Sequence, residues 1–133
     1  MDAGTVIDAG SGLIELTADG DITLGTLTTT HAAGLTVQSE GSIAVNGAIS
    51  TGGGDIELLA DTNVTFAADG DVSSDGGDIS VEADTNLTEN GAVITMDADT
   101  VIDAGSHTID LSADGDITLG TCLLYTSPSP RDS

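Results

Sequence analysis

The sequence is poor in the residues that carry most protein chemistry. Its 133 residues include 23 aspartates and glutamates but only one lysine or arginine, which gives a formal net charge of −22, and there is no tryptophan. One cysteine, one tyrosine, one phenylalanine and two prolines complete the shortage. Nucleic acids and anionic membranes need a basic surface, so the charge predicts neither partner. No apolar run approaches the ~20 residues that a membrane-spanning helix needs, which argues against membrane insertion.

The rare residues lie together near the C-terminus. The only Cys, Tyr and Arg and both Pro fall between Cys122 and Arg131, whereas residues 1–121 contain none of them. Residues 122–132 resemble the in-frame translation of a transposase-type sequencing adapter along their whole length. We therefore predict a repeat segment over residues 1–121 and a non-native, disordered tail over residues 122–133, which packs on nothing.

The two ends of the repeat segment match each other. Residues 1–26 align without a gap with residues 96–121, and 21 of the 26 positions are identical. Met1 thus matches the internal Met96, and no basic stretch followed by an apolar run, as in a signal peptide, comes after it. We expect the chain to be a fragment of a longer repetitive protein, open at both ends.

A shorter unit recurs within the segment: an apolar residue, any residue and a second apolar residue, set between turn residues. The clear copies begin at Ile14, Ile22, Leu35, Ile43, Ile56, Val64, Ile79, Ile109 and Ile117, and weaker copies begin at Val72, Leu87, Ile94 and Ile102. The spacings sum to 21–23 residues in pairs or threes. About thirteen steps fill the 95-residue repeat, which is not a multiple of three, so we predict that a degenerate unit near Leu27 or Ile49 is a turn.

Alternation with a period of two predicts short strands with one buried face. Glycine and aspartate between the units are turn residues, and no segment has a helical pattern. Such short strands bury an apolar face only if successive coils stack, so we predict an all-β, right-handed parallel β-helix of about five rungs of 21–23 residues. Strict alternation argues against a disordered acidic linker. The prediction points Ile22, Ile43, Ile79 and Ile117 inward and Thr23, Ala44, Ser80 and Thr118 outward.

Three of these units carry a family resemblance. Residues 20–24, 77–83 and 115–119 resemble the repeats of bacterial large exoproteins, the filamentous-haemagglutinin-like and autotransporter-like adhesins. The resemblance implies a stalk that is secreted or exposed on the bacterial cell surface. It also implies that neighbouring repeats are contacts of the segment, and that glycans or proteins of a host or environmental surface bind to regions outside it. The basic, heparin-binding character of some members is not matched.

Residues suited to catalysis are scarce. Only His31 and His107 titrate near neutral pH, and they occupy unlike places in the repeat. There is no nucleophile motif, no phosphate-binding loop and no Cys or His cluster with metal spacing. Paired carboxylates would suit a β-helix enzyme that cleaves polysaccharide, but an enzyme for anionic polysaccharide would also need basic residues. We therefore predict no enzyme in this segment and keep the polysaccharide-cleaving enzyme as a distant alternative.

Calcium is the stronger alternative, because Asp-Gly-Asp turns present the hard oxygen ligands that Ca²⁺ prefers. The candidate ligands are Asp19, Asp21, Asp69, Asp71, Asp114 and Asp116. Units of 7–8 residues do not match the steady nine of calcium-binding β-rolls, and the turns lack their glycine order. We therefore expect no cofactor and hold a calcium-dependent β-roll as the second hypothesis for the function.

Overall fold

The computed structural model describes residues 5–32, 34–67, 70–83, 91–98, 100–105, 107–118 and 123–125. These residues form sixteen short strands and no helix. The strands are β1 Val6–Asp8, β2 Ile14–Ala18, β3 Ile22–Leu24, β4 Thr26–Thr29, β5 Leu35–Ser39, β6 Ile43–Val45, β7 Ile49–Thr51, β8 Ile56–Ala60, β9 Val64–Phe66, β10 Val72–Ser73, β11 Ile79–Ala83, β12 Ile94–Met96, β13 Val101–Asp103, β14 Ile109–Ser112, β15 Ile117–Thr118 and β16 Leu123–Tyr125. The predicted all-β class is confirmed.

Every third strand belongs to the same sheet. Sheet 1 contains β1, β4, β7, β10, β13 and β16, sheet 2 contains β2, β5, β8, β11 and β14, and sheet 3 contains β3, β6, β9, β12 and β15. Neighbouring strands within each sheet pair in parallel. One strand from each sheet makes a coil, so coil 1 is β1–β3, coil 2 is β4–β6, coil 3 is β7–β9, coil 4 is β10–β12 and coil 5 is β13–β15. The predicted parallel β-helix of about five rungs is therefore confirmed.

The coils are not equal in length. Paired positions in sheet 1, followed from Ile7 to Ile102, are 20, 22, 23 and 30 residues apart. These two positions are 95 residues apart, so the 95-residue repeat corresponds to four coils. The long step includes residues 84–93, which connect β11 to β12. Leu87, one of the weaker predicted units, lies there, outside the described residues.

The prediction of a turn near Leu27 or Ile49 is wrong. Leu27 lies in β4 and Ile49 in β7, with exposed fractions of 0% and 1%. The next inward positions are occupied by Thr29 and Thr51, each 1% exposed. Threonine at a buried position does not look apolar in a sequence pattern, so both strands were hidden in the alternation.

Apolar columns run through the coils and form the core. In sheet 2 the paired residues of one such column are Ile14, Leu35, Ile56, Ile79 and Ile109. Ile56 and Ile79, in coils 3 and 4, are fully buried because a coil covers each of them on both sides. Each buried isoleucine is worth about 1.5–3 kcal/mol relative to an exposed one, so the stacking of coils supplies the main stabilisation.

Cover is missing at the two ends of the stack. The predicted inward residues Ile43 and Ile79 are buried, at 1% and 0% exposure, whereas Ile117 is 39% exposed. Ile117 pairs with the buried Ile94, so it lies in the same column, but sheet 3 ends at its strand in the described part of the chain. Ile22, in coil 1, is half-buried for the same reason. The inward phase of these four residues is the predicted one.

Hydroxyl groups close the corners between sheets. The Thr51 hydroxyl donates to the Gly54 carbonyl oxygen at 2.5 Å and lies 3.2 Å from the Ser74 carbonyl oxygen. At another corner the Ser39 hydroxyl donates to the Gly20 carbonyl oxygen at 2.7 Å. The buried polar residues are Thr29, Ser39, Thr51, Ser74 and Thr100. Within the described ranges, no buried side-chain nitrogen or oxygen lacks a partner, as a buried polar group requires.

Strand β16 falls within the segment that was predicted to be a tail. Its residues pair in parallel with β13, Ile102 opposite Leu124, which is 22 residues further on. In the first coil, the equivalent Ile7 pairs with Leu27, only 20 residues further on. A shift of two residues preserves the inward and outward alternation, whereas a shift of one would reverse it. The boundary at residue 122 remains a prediction, since most of the segment lies outside the described residues.

Deleting residues 122–133 tests the tail assignment. If the tail is non-native and supplies nothing to the core, thermal melts of the 1–121 and 1–133 chains should coincide. A chain that ends after residue 125 keeps β16 and is the matched control. A melting temperature that falls by several degrees for 1–121, but not for the control, would show that β16 caps coil 5.

Candidate functional site

The six aspartates predicted as calcium ligands occupy three separate turns. They are Asp19 and Asp21 in coil 1, Asp69 and Asp71 before β10, and Asp114 and Asp116 in coil 5. The first and third turns connect sheet 2 to sheet 3, whereas the second connects sheet 3 to sheet 1. Asp69 lies outside the described residues. Because coils are ~4.8 Å apart, the first and third turns are separated by about 19 Å along the stack. The fold does not gather these residues into one site.

Aspartate or asparagine immediately before a strand accepts a hydrogen bond from the next coil. Asp21 Oδ1 accepts from the Ser42 N–H at 2.8 Å, and Asp55 Oδ1 accepts from the Asp78 N–H at 2.9 Å. The equivalent bonds join Asn63 to Val93 at 2.9 Å, Asp71 to Val101 at 3.0 Å and Asp78 to Thr108 at 3.1 Å. We call the five accepting residues Asp21, Asp55, Asn63, Asp71 and Asp78 the turn ladder.

The turn ladder gives the recurrent aspartates a structural role. Each accepting oxygen satisfies a backbone N–H at a corner, next to the point where strand pairing begins. A bond from N–H to a carboxylate is charge-assisted and stronger than one between neutral groups. Sequence reasoning assigned these residues to turns but missed the bonds between coils. The available signal was their position directly before the first apolar residue of a unit.

Asp114 makes a related bond in the opposite direction. Its Oδ2 accepts from the N–H of Gly91, which belongs to the preceding coil, at 3.0 Å. Three of the six calcium candidates, Asp21, Asp71 and Asp114, therefore accept a hydrogen bond from the backbone of a neighbouring coil. Their recurrence in the sequence is explained by the fold without a bound cation.

Substitution of Asp55 tests the turn ladder. The D55A change removes the acceptor of the Asp78 N–H and should lower the free energy of unfolding by about 1 kcal/mol. The D55N change keeps an oxygen at the same place and removes one of many like charges, so we expect a loss of less than about 0.5 kcal/mol. Urea unfolding of both variants measures the difference. Equal losses from the two substitutions would show that the charge, and not the acceptor, is what matters.

Calcium dependence can be tested on the unaltered chain. In the described ranges, no group of three or more His, Cys, Asp or Glu side chains is placed to hold a metal ion. We expect melting temperatures in calcium and in chelator to agree within about 1 °C when the ionic strength is matched, because screening of the net charge acts in both solutions. A large loss of stability on chelation would instead favour the calcium-dependent β-roll.

The outer face of sheet 2 carries a shallow acidic groove. Its volume is about 310 Å³, and the polar residues that line it are Asp55, Glu57, Asp78, Ser80, Thr108 and Asp110. The carboxylates of Glu57 and Asp110 belong to one outward column, in which Ser80 lies between them. This is the place where the described residues would put acid–base chemistry on a saccharide, but the repeat segment has no Lys or Arg to bind an anionic one. The absence of enzymatic activity remains a prediction.

The two histidines lie in different coils. His107 Nδ1 is 3.3 Å from Asp78 Oδ1, and both side chains are about half exposed to solvent. The carbonyl oxygen of His31 accepts from the Gly34 N–H at 2.9 Å in a turn before β5. His107 stands where the matching copy has Gly12, so the fold does not require it. The geometry gives neither histidine a nucleophile to activate.

Comparisons with known proteins add no family. No family model, no curated protein and no solved structure gives a significant match to the chain. Across the described residues, the structure contains no helix with the length and apolar character needed to cross a membrane. Function therefore has to be argued from the fold and from the surface of the coils.

Proposed function

We propose that the chain is a segment of the stalk of a large bacterial adhesin, secreted or exposed on the cell surface, with no catalytic role in this segment. The observation that carries the proposal is the uninterrupted stack: each sheet passes through every described coil, and coil 5 nearly repeats the sequence of coil 1. A fold of this kind grows along one axis by repetition, because each coil contacts only its neighbours. Five coils make a rod about 24 Å long.

The surface suits a spacer. Outward positions of sheet 2 carry a mixture of carboxylates and hydroxyls, and those of the central sheet 3 strands carry Ala44, Thr65 and Thr95. A net charge of −22 keeps neighbouring rods apart and the chain soluble. The groove on sheet 2 is too shallow and too uniformly acidic to suggest a particular ligand. Such a surface fits a stalk whose binding regions lie elsewhere in the parent protein.

Location on the cell tests the proposal. Antibodies raised against residues 1–121 should label intact cells that produce the parent protein, and protease treatment of the intact cells should remove the label. Cells permeabilised before labelling serve as the control for total protein. The complete parent gene should also encode an export signal and many further coils. Labelling that requires permeabilisation, or a short parent with a catalytic domain, would contradict the proposal.

A further inference from the structure

Coil 1 leaves one edge of the stack uncovered in the described part of the chain. β1, β2 and β3 are each the terminal strand of their sheet. A cavity of about 350 Å³ opens at this edge, and its apolar lining includes Ile7, Leu16, Ile22 and Leu24. Val6 and Leu13 are 62% and 50% exposed. This edge, which we call the lower edge of coil 1, exposes both unpaired strands and the floor of the core.

The same structure contains a near copy of coil 1 with its lower edge covered. Coil 5 matches coil 1 at 21 of the 26 aligned positions, and the inward apolar residues are identical in the two copies. The five differences lie outside the core: Gly4/Asp99, Gly12/His107, Leu13/Thr108, Glu15/Asp110 and Thr17/Ser112. Coil 5 packs on coil 4, so coil 4 displays the surface to which the lower edge of coil 1 is also complementary.

Paired residues define this seat. Ile79 of coil 4 pairs with Ile109, and Ile94 pairs with Ile117. The Ile79 N–H donates to the Thr108 carbonyl oxygen at 2.9 Å, and the Gly115 N–H donates to the Ala92 carbonyl oxygen at 2.7 Å. In coil 1 the residues that correspond to Thr108 and Gly115 are Leu13 and Gly20, whose backbone groups can make the same two bonds.

We propose that the lower edge of coil 1 is a docking surface for a second copy of this chain's four-coil block, residues 1–95, which presents its coil 4. The inference rests on the proposed stalk, since a rod built from several blocks would use this edge. It commits to a specific joint: β10, β11 and β12 of one block pair with β1, β2 and β3 of the next. The joint loses one contact, between His107 and Asp78, because Gly12 stands in coil 1.

A glycine makes the joint testable. A Cβ added to Gly20 would have no neighbour within 4 Å, so alanine fits there in the present chain. A Cβ on the corresponding Gly115 would lie 2.8 Å from the carbonyl carbon of Gly91 in coil 4, which is too close. The G20A change should therefore be tolerated in the single chain and should disrupt the joint when a coil of the coil 4 type lies below coil 1.

The experiment compares the full chain with a tandem chain in which residues 1–95 are fused directly ahead of Met1. Hydrogen exchange is measured for the amides of Leu13 and Gly20 in the block that carries the original C-terminus. We expect both amides to exchange about 100-fold more slowly in the tandem chain than in the single chain, because the joint protects them. The G20A change in that block should remove the protection at Leu13 and leave exchange in the single chain unchanged.

A flexible Gly-Ser linker between the blocks is the control, because it relaxes the spacing that the joint needs. Equal exchange rates in the single and tandem chains, or protection that survives G20A, would overturn the proposal. The measurement uses purified protein and does not depend on where the parent protein resides. Failure of the joint would therefore be distinguishable from failure of the proposed surface location.

Discussion

Replacing Ile79 by aspartate should lower the free energy of unfolding by more than about 4 kcal/mol. Ile79 is fully buried and pairs with Ile56 on one side and Ile109 on the other. A carboxylate at this point would be an unpaired charge within an apolar column, and no basic side chain exists in the repeat segment to neutralise it. The loss should extend to the neighbouring coils, because each coil is stabilised by those that cover it. Urea unfolding measures it.

The matched control is one residue further along the same strand. Ser80 lies on the outer face, between Glu57 and Asp110 in the outward column. The S80D change should alter the free energy of unfolding by about 0.5 kcal/mol or less at high salt, and by more at low salt through repulsion from these two carboxylates. Equal and small effects of I79D and S80D would contradict the buried column and favour a disordered chain.

Prediction from the sequence worked best in sheets 2 and 3. There, both inward positions of a unit are apolar, as in Ile43 and Val45 or Val64 and Phe66, so period-two alternation is visible in the residue types. Sheet 1 was harder, because its second inward position is a hydroxyl residue such as Thr51. Such a residue is buried at a corner, where it donates to a backbone carbonyl, and residue type alone does not reveal that bond.

The candidate site shows a different limit. Aspartate before a strand was recognised as a turn residue and also considered as a calcium ligand, because the same carboxylate serves either purpose. Asp71 and Asp114 separate the possibilities only in three dimensions, where each accepts a backbone N–H of a neighbouring coil. The distance between turns depends on the number of coils between them, and that number changes with the longer step between β11 and β12.

Close approach of backbones between coils underlies the second large effect. Gly54 stands two residues before β8, and a Cβ there would lie 2.3 Å from the Gly34 nitrogen and 2.4 Å from the His31 carbonyl oxygen. Gly34 itself has a φ of +74°, in the left-handed region that favours glycine. Both neighbours are backbone atoms of coil 2, which is held in register by pairing of β5 with β8. They cannot move without breaking that pairing.

The G54A change should therefore lower the free energy of unfolding by about 3 kcal/mol or more. Gly20 is its matched control, because it stands in the same Gly-Asp-Ile sequence but has open space around it and no left-handed φ. The G20A change should leave the stability unchanged or raise it by up to about 1 kcal/mol, since alanine reduces the freedom of the unfolded chain. Urea unfolding of both variants under the same conditions measures the difference. If G54A and G20A proved equally mild, the close packing of coil 3 on coil 2 at this corner would be wrong, and the coils would have to be further apart than strand pairing allows.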